Sequence, residues 1–170
     1  MYYDHSFKAT IEKFGVGKTR KIWYNVLFLP DEVQSTLPFE QYPRLRVEGE
    51  IADVPIENAF MPTGDGRYYV IVSPKVLRDG VVKLHDRVEM RFRIADQNHV
   101  NVPIALGSAI ERQPVVQAGW DRLTSGRKRM VAQHVVSAKT DKTRNKRVSE
   151  ALEAIQHFGG DLRAWRNAKK

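Results

Sequence analysis

Residues Ser6 to Phe14 alternate, with Phe7, Ala9 and Ile11 toward one face and Lys8, Thr10 and Glu12 toward the other. This is the period-two signature of a half-buried strand. Gly15-Val16-Gly17 reads as a turn. Ile22 to Leu29 is a dense β-branched and aromatic run, expected to be a strand buried on both faces. Pro30 opens a short helical turn over Asp31 to Thr36, and Pro38 and Pro43 punctuate a loop. Arg44 to Ala52 alternates again, with Leu45, Val47, Gly49 and Ile51 on one side, and Val54 to Met61 continues as a strand. Gly64-Asp65-Gly66 signals a hairpin before a strand over Arg67 to Val72. Pro74 to Asp79 reads as a short helix and Asp86 to Ile94 as the last strand.

The strand half contains an internal repeat. Tyr24, Val26, Leu27, Phe28 and Pro30 match Tyr68, Val70, Ile71, Val72 and Pro74 at a constant offset. After a one-residue slip, Arg44-Leu45-Arg46-Val47 matches Arg87-Val88-Glu89-Met90. Each copy is a strand, a proline-started helical turn, a loop and a strand. Two copies predict a pseudo-twofold β-barrel built by duplication.

From residue 98 the period changes to helical. Pro103 and Pro114 each suit a first helical position, starting helices over Pro103 to Arg112 and Pro114 to Leu123. Thr124 or Ser125 caps a third over Gly126 to Ala138, with Met130, Val131, Val135 and Ala138 as its apolar stripe. Thr140 or Asp141 caps a fourth over Lys142 to Phe158, striped by Val148, Leu152 and Ile155 and ended by Gly159. The expected organisation is α+β: a barrel over 1–97, a bundle of about four short helices over 98–160, and a basic tail over 161–170 that frays or adds one more helical turn.

Composition narrows the chemistry. The 170 residues include no cysteine, which removes disulfides, thiolate metal sites and a cysteine nucleophile. No run reaches the roughly 18 apolar residues of a membrane span. Met1 to Lys13 lacks the apolar stretch of a signal peptide, so a cytoplasmic location is expected. The net charge of +8 is unevenly placed. Residues 1–119 hold 15 Lys/Arg against 15 Asp/Glu, and residues 120–170 hold 13 against 5. A neutral body with a basic end points to an anionic partner met at one place.

Several chemical motifs fail on inspection. Gly15-Val16-Gly17-Lys18-Thr19 resembles the end of a P-loop, but Glu12 stands where the first glycine belongs and a strand follows where a helix is needed. A hairpin turn is the better reading. No two of His5, His85, His99, His134 and His157 are three or four residues apart, so there is no helical metal pair. His134 beside an apolar stripe reads as a core-edge histidine with one hydrogen bond. No nucleophile elbow is present. Neither metal nor cofactor is expected, and nothing argues for catalysis.

The most informative segment is Ser137 to Arg147. Lys139 suits the end of the third helix, but Lys142, Arg144, Lys146 and Arg147 crowd the start of the fourth with one acid, Asp141. Cations at a helix N-terminus oppose its dipole by roughly 0.3–1 kcal/mol each. The offset comes from acidic groups such as Glu111 or Asp121 or from a bound anion, unless solvation alone makes the cations tolerable. Arg127, Lys128 and Arg129 repeat the arrangement at the start of the third helix. The candidate anion- or partner-binding residues are therefore Lys139, Lys142, Arg144, Arg147, Arg127 and Arg129.

Leu29-Pro30, Arg46-Val47-x-Gly49, Gly66-x-Tyr68 and Asp86-Arg87-Val88, set within Phe7 to Ile94, resemble the barrel family called domain of unknown function 1905. Trp120-x-x-Leu123-Thr124, Ser137-Ala138-Lys139-Thr140 and Thr143-Arg144-x-x-Arg147 resemble the bacteriocin-protection, YdeI or OmpD-associated family. The first resemblance implies a double-split β-barrel, in which one chain supplies both halves. The second implies a role in envelope stress or toxin resistance. Val72 to Ile94 is also similar to one half of an AbrB/MazE-type swapped-hairpin barrel, whose basic surface lies on the barrel; here the barrel half is neutral.

Three functions follow as expectations. The first is a non-enzymatic binding or regulatory module whose basic helices engage nucleic acid, a phosphate-bearing ligand or an acidic protein. The second is a protein–protein or regulatory role in which Lys139, Arg144 and Arg147 pair internally to pin the helices on the barrel. The third is an enzyme with a cleft between barrel and helices. A monomer or a homodimer fits each.

Overall fold

The computed structural model describes residues 2–170. The chain divides into two compact units after Gln97. The first holds strands β1 (His5–Thr10), β2 (Glu12–Val16), β3 (Ile22–Phe28), β4 (Arg46–Ile51), β5 (Val54–Ala59), β6 (Met61–Pro62), β7 (Tyr68–Ile71) and β8 (Arg87–Ile94). Helix α1 (Asp31–Gln34) precedes β4, and α2 (Pro74–Asp79) precedes β8. The strands form two four-stranded antiparallel sheets, ordered β1-β8-β4-β5 and β2-β3-β7-β6.

The repeat seen in the sequence is a repeat of topology. Exchanging β1 with β5, β2 with β6, β3 with β7 and β4 with β8 reverses both sheet orders and leaves them otherwise unchanged. Register agrees: Val26 pairs Ile71 and Leu27 pairs Val70, so the exchange turns one pair into the other. In the β4–β8 ladder the equivalent residues Gly49 and Phe92 face each other directly. A Cβ on Gly49 would come within 2.6 Å of the Phe92 Cα. That empty position accompanies full burial of the Phe92 ring, which meets Phe7 and Phe60 edge-on.

Two expected strands are each divided. Ser6 to Phe14 breaks at Ile11, which leaves β1 in one sheet and starts β2 in the other. Val54 to Met61 breaks in the same way at Phe60. Both residues are fully buried. Their amides donate to carbonyls just ahead of a central strand, Ile11 to Asp86 and Phe60 to Leu45. The alternation survives because both sheets face one core. Expected two-sided burial of Ile22 to Leu29 holds at Val26 and Leu27 but not at Ile22 and Trp23, which extend beyond the partner strand β7 and are exposed.

The second unit is helical: α3 (Ile104–Glu111), α4 (Pro114–Asp121), α5 (Ser125–Val136), α6 (Asp141–Phe158) and α7 (Leu162–Ala168). Leu106, Ile110, Val131, Val135, Ala151 and Ile155 are at its buried centre. Thr124 and Thr140 cap α5 and α6 by accepting from the amides of Arg127 and Thr143. Gly159 ends α6 with a left-handed φ of 55°. Four of these helices fall within residues 98–160, and the tail expected to fray or add one more turn is α7. Asp161 caps it, Leu162 is buried, and the Trp165 Nε1 donates to Glu153 Oε2 on α6 at 2.8 Å. No helix among the described residues is long and apolar enough to cross a membrane.

Candidate anionic-partner surface on the helical unit

Helices α5 and α6 meet at a corner over residues 137–140 built by small and polar residues. Ser137 ends α5, Ala138 is buried, Lys139 is exposed, and Thr140 starts α6 with a hydroxyl that accepts from the Thr143 amide at 3.1 Å. Buried Val135 and Val148 hold the two helices together behind the corner.

The crowded cations of α6 separate into three kinds. Arg147 turns inward: its Nη1 donates to the His134 carbonyl at 3.0 Å and to Ser137 Oγ at 2.6 Å. These are groups at the C-terminal end of α5, where unpaired carbonyls carry partial negative charge. Arg144 pairs within its own helix, with Nη1 2.5 Å from Asp141 Oδ1, and the Asp141 side chain is 93% exposed. Lys139 and Lys142 are exposed, and among the described residues neither side chain has a hydrogen-bond or ion-pair partner.

Behind the corner, His134 Nε2 lies 2.8 Å from Glu150 Oε2, with both side chains largely buried. This is the core-edge histidine expected from its helix stripe. Lys146 Nζ approaches the other carboxylate oxygen at 4.0 Å. The counter-charge on α6 thus comes from Asp141, Glu150 and the end of α5. Glu111 and Asp121, the acids anticipated from the sequence, do not supply it; Asp121 accepts from Gln117 on its own helix.

Arg127 and Arg129 are placed elsewhere. Both are at the start of α5, whose 12 residues span about 18 Å. Arg127 Nη1 lies 3.5 Å from Asp161 Oδ2. The Ala164 amide, reinforced by Arg127, holds the Asp161 carboxyl below its ordinary pKa. Arg129 Nη1 donates to the His99 carbonyl at 3.3 Å. Lys128 Nζ stands over the Trp120 ring at 5.5 Å. Arg127 also lines an open cavity of about 650 Å³ with Arg122, Thr124 and His157. Sequence reasoning passed over Arg122 and His157, because one falls at the end of α4, the other near the end of α6, and no spacing links them.

The six predicted residues therefore form two groups at opposite ends of α5. Lys139, Lys142, Arg144 and Arg147 share the α5–α6 corner; Arg127 and Arg129 do not join them. Among the described residues no group of three His, Asp or Glu is placed to hold a metal ion.

Two family models match the chain. Residues 99–157 match the family Bacteriocin-protection, YdeI or OmpD-Associated, and residues 7–92 match the domain of unknown function DUF1905. No curated protein and no solved structure matches the chain. With the DUF1905 match over half of its length, the chain is a member of the DUF1905 family, with a YdeI/OmpD-associated domain after it.

Proposed function

We propose that the chain is a non-enzymatic binding module: a double-split barrel as scaffold and a helical unit that engages an anionic partner, nucleic acid first. One observation carries the reading. At the α5–α6 corner Lys139 and Lys142 are exposed without hydrogen-bond or ion-pair partners among the described residues, while Arg147 beside them is held internally. Arg144 adds a third charge, tied to an exposed aspartate that it can exchange for a phosphate. The concentration of the whole +8 in the last third of the chain supports the same reading. The family name of the helical domain adds bacteriocin protection or stress as the setting.

Neutralising phosphates releases counterions, so affinity for DNA or RNA falls steeply as salt rises. Titration with duplex and single-stranded oligonucleotides from 50 to 200 mM salt tests it, by roughly the range over which such contacts lose most of their affinity. Salt-independent affinity, or no binding to either acid, overturns the reading.

A further inference from the structure

The β2–β3 hairpin carries chemistry that neither the neutral barrel nor the helical unit explains. Val16 pairs with Ile22 and Gly15 with Trp23 across this hairpin. All three apolar side chains are exposed: Val16 at 36%, Ile22 at 57% and Trp23 at 60%. The loop between them turns at Gly17, whose φ is +126°. Lys18, Arg20 and Lys21 surround the same end, Lys13 lies further down β2, all four are exposed, and no Asp or Glu occurs between Lys13 and Pro30. In a unit whose 14 Lys/Arg and 14 Asp/Glu balance as a whole, this is a local concentration of cations around exposed apolar groups.

The geometry points to the hairpin as a peripheral docking element for an anionic lipid surface. Successive strand residues point to opposite faces, so the Val16–Ile22 pair lies on one face of the hairpin and Trp23 on the other. A flat protein partner covers one face and leaves the other wet. A bilayer interface surrounds an inserted tip and takes both. The aliphatic pair also separates lipid from nucleic acid: Val16 and Ile22 offer no stacking plane and no donor, yet gain by leaving water. Trp23 is suited to the headgroup level, with an apolar ring and a polar N–H. Its ring passes over Gly15, where a Cβ would stand 3.2 Å from two ring carbons. Lys21 Nζ lies 5.8 Å from the ring centroid, where it can reach lipid phosphates. Lys18, Arg20 and Lys21 are attracted by the negative surface potential of acidic lipids, and no acid occurs over residues 14–29 to cancel them.

The test uses the whole chain with phosphatidylcholine vesicles, with and without phosphatidylglycerol, some carrying brominated acyl chains that quench tryptophan on contact. The expected result is sedimentation with, and quenching by, the phosphatidylglycerol-containing vesicles. Trp23→Ala abolishes the quenching, and Lys18→Gln, Arg20→Gln and Lys21→Gln together lower partitioning about a hundredfold, at roughly fivefold per charge. Lys139→Glu with Lys142→Glu leaves the quenching in place, which separates this surface from the helical corner. Circular dichroism checks that each variant keeps its fold. Quenching that persists in Trp23→Ala, or no binding to acidic vesicles, overturns the inference. So does binding of a single-stranded oligonucleotide that depends on Trp23 when vesicles are not bound.

Discussion

Arg147 on α6 donates to the backbone carbonyl of His134 on α5 at 3.0 Å, and the same nitrogen donates to Ser137 Oγ at 2.6 Å. A guanidinium thus closes the end of one helix from the first turns of the next. The two arginines of Thr-Arg-x-x-Arg are one turn apart yet do different work: Arg147 fastens the corner and Arg144 faces Asp141 at the surface.

Removing each arginine should therefore have unequal effects. Arg147→Ala strips charged donors from a partly buried carbonyl and an exposed hydroxyl, with an expected loss of about 1.5–2 kcal/mol, most of it from the carbonyl. Arg144→Ala breaks an exposed ion pair, and its effect should stay within about 0.5 kcal/mol. Urea unfolding midpoints of the two variants check this. Equal losses would remove the distinction between a fastening and a surface arginine.

Gly49 is the second stability test. A methyl group there meets Phe92 at its Cα and Cβ, both on a central strand that cannot withdraw without disturbing the β1 and β4 ladders. Gly49→Ala should cost about 2–3 kcal/mol, in the range of overpacked cores. Gly64→Ala meets no atom but stands at a φ of +96°, so its cost is backbone strain alone. Thermal melts of the two variants separate crowding from strain: near-native stability of Gly49→Ala would mean that the β4–β8 ladder is looser than its register implies.

How far the sequence could be read depended on the range of the forces involved. Helix caps at Thr124, Thr140 and Gly159 are local chemistry and were legible from neighbouring residues. The duplication was legible because it repeats whole element order. The breaks at Ile11 and Phe60 were not, because an unbroken alternation persists when a strand passes between two sheets that face one core. Helix α7 was obscured by its basic composition; Leu162 and Trp165 find their partners on α6, too far along the chain for a pattern to show. The corner residues were identified as a group, but Arg147's partners are a carbonyl and a hydroxyl, which charge counting does not reveal.

The attachment of α7 gives a pH prediction. Hydrogen bonding from Lys169, then from the Trp165 indole, lowers the pKa of Glu153, and the Ala164 amide lowers that of Asp161. Groups whose folded pKa is depressed contribute stability above the unfolded value and lose it as pH falls through the folded one. The hold on α7 should therefore be complete at neutral pH and weaken below about pH 4, the ordinary carboxylate range. Hydrogen exchange of the 162–168 amides should quicken there relative to those of α6. Glu153→Gln keeps an acceptor for Trp165 but removes the charge facing Lys169, so part of this pH dependence should vanish. Exchange that stays flat through the acid range would contradict the assigned latch.

The cations of the corner should also rank in binding as their surroundings rank them. Lys139 and Lys142 have no hydrogen-bond or ion-pair partner among the described residues to release, so each contributes its full charge to a phosphate. Changing either to alanine should reduce the slope of log affinity against log salt by about 1 for a nucleic-acid backbone. Arg144 must first leave Asp141, and what it gains from phosphate is partly offset by that loss, so Arg144→Ala should change the slope less. Asp141→Asn should do the opposite of the lysine changes and strengthen binding, since it removes the negative charge beside the proposed contact. Arg147→Ala should lower stability with little effect on slope, because its guanidinium is already committed to α5. Salt titrations of the four alanine variants and Asp141→Asn measure the order directly. A slope unchanged by Lys139→Ala and Lys142→Ala, in protein that still binds, would place the contact on another surface.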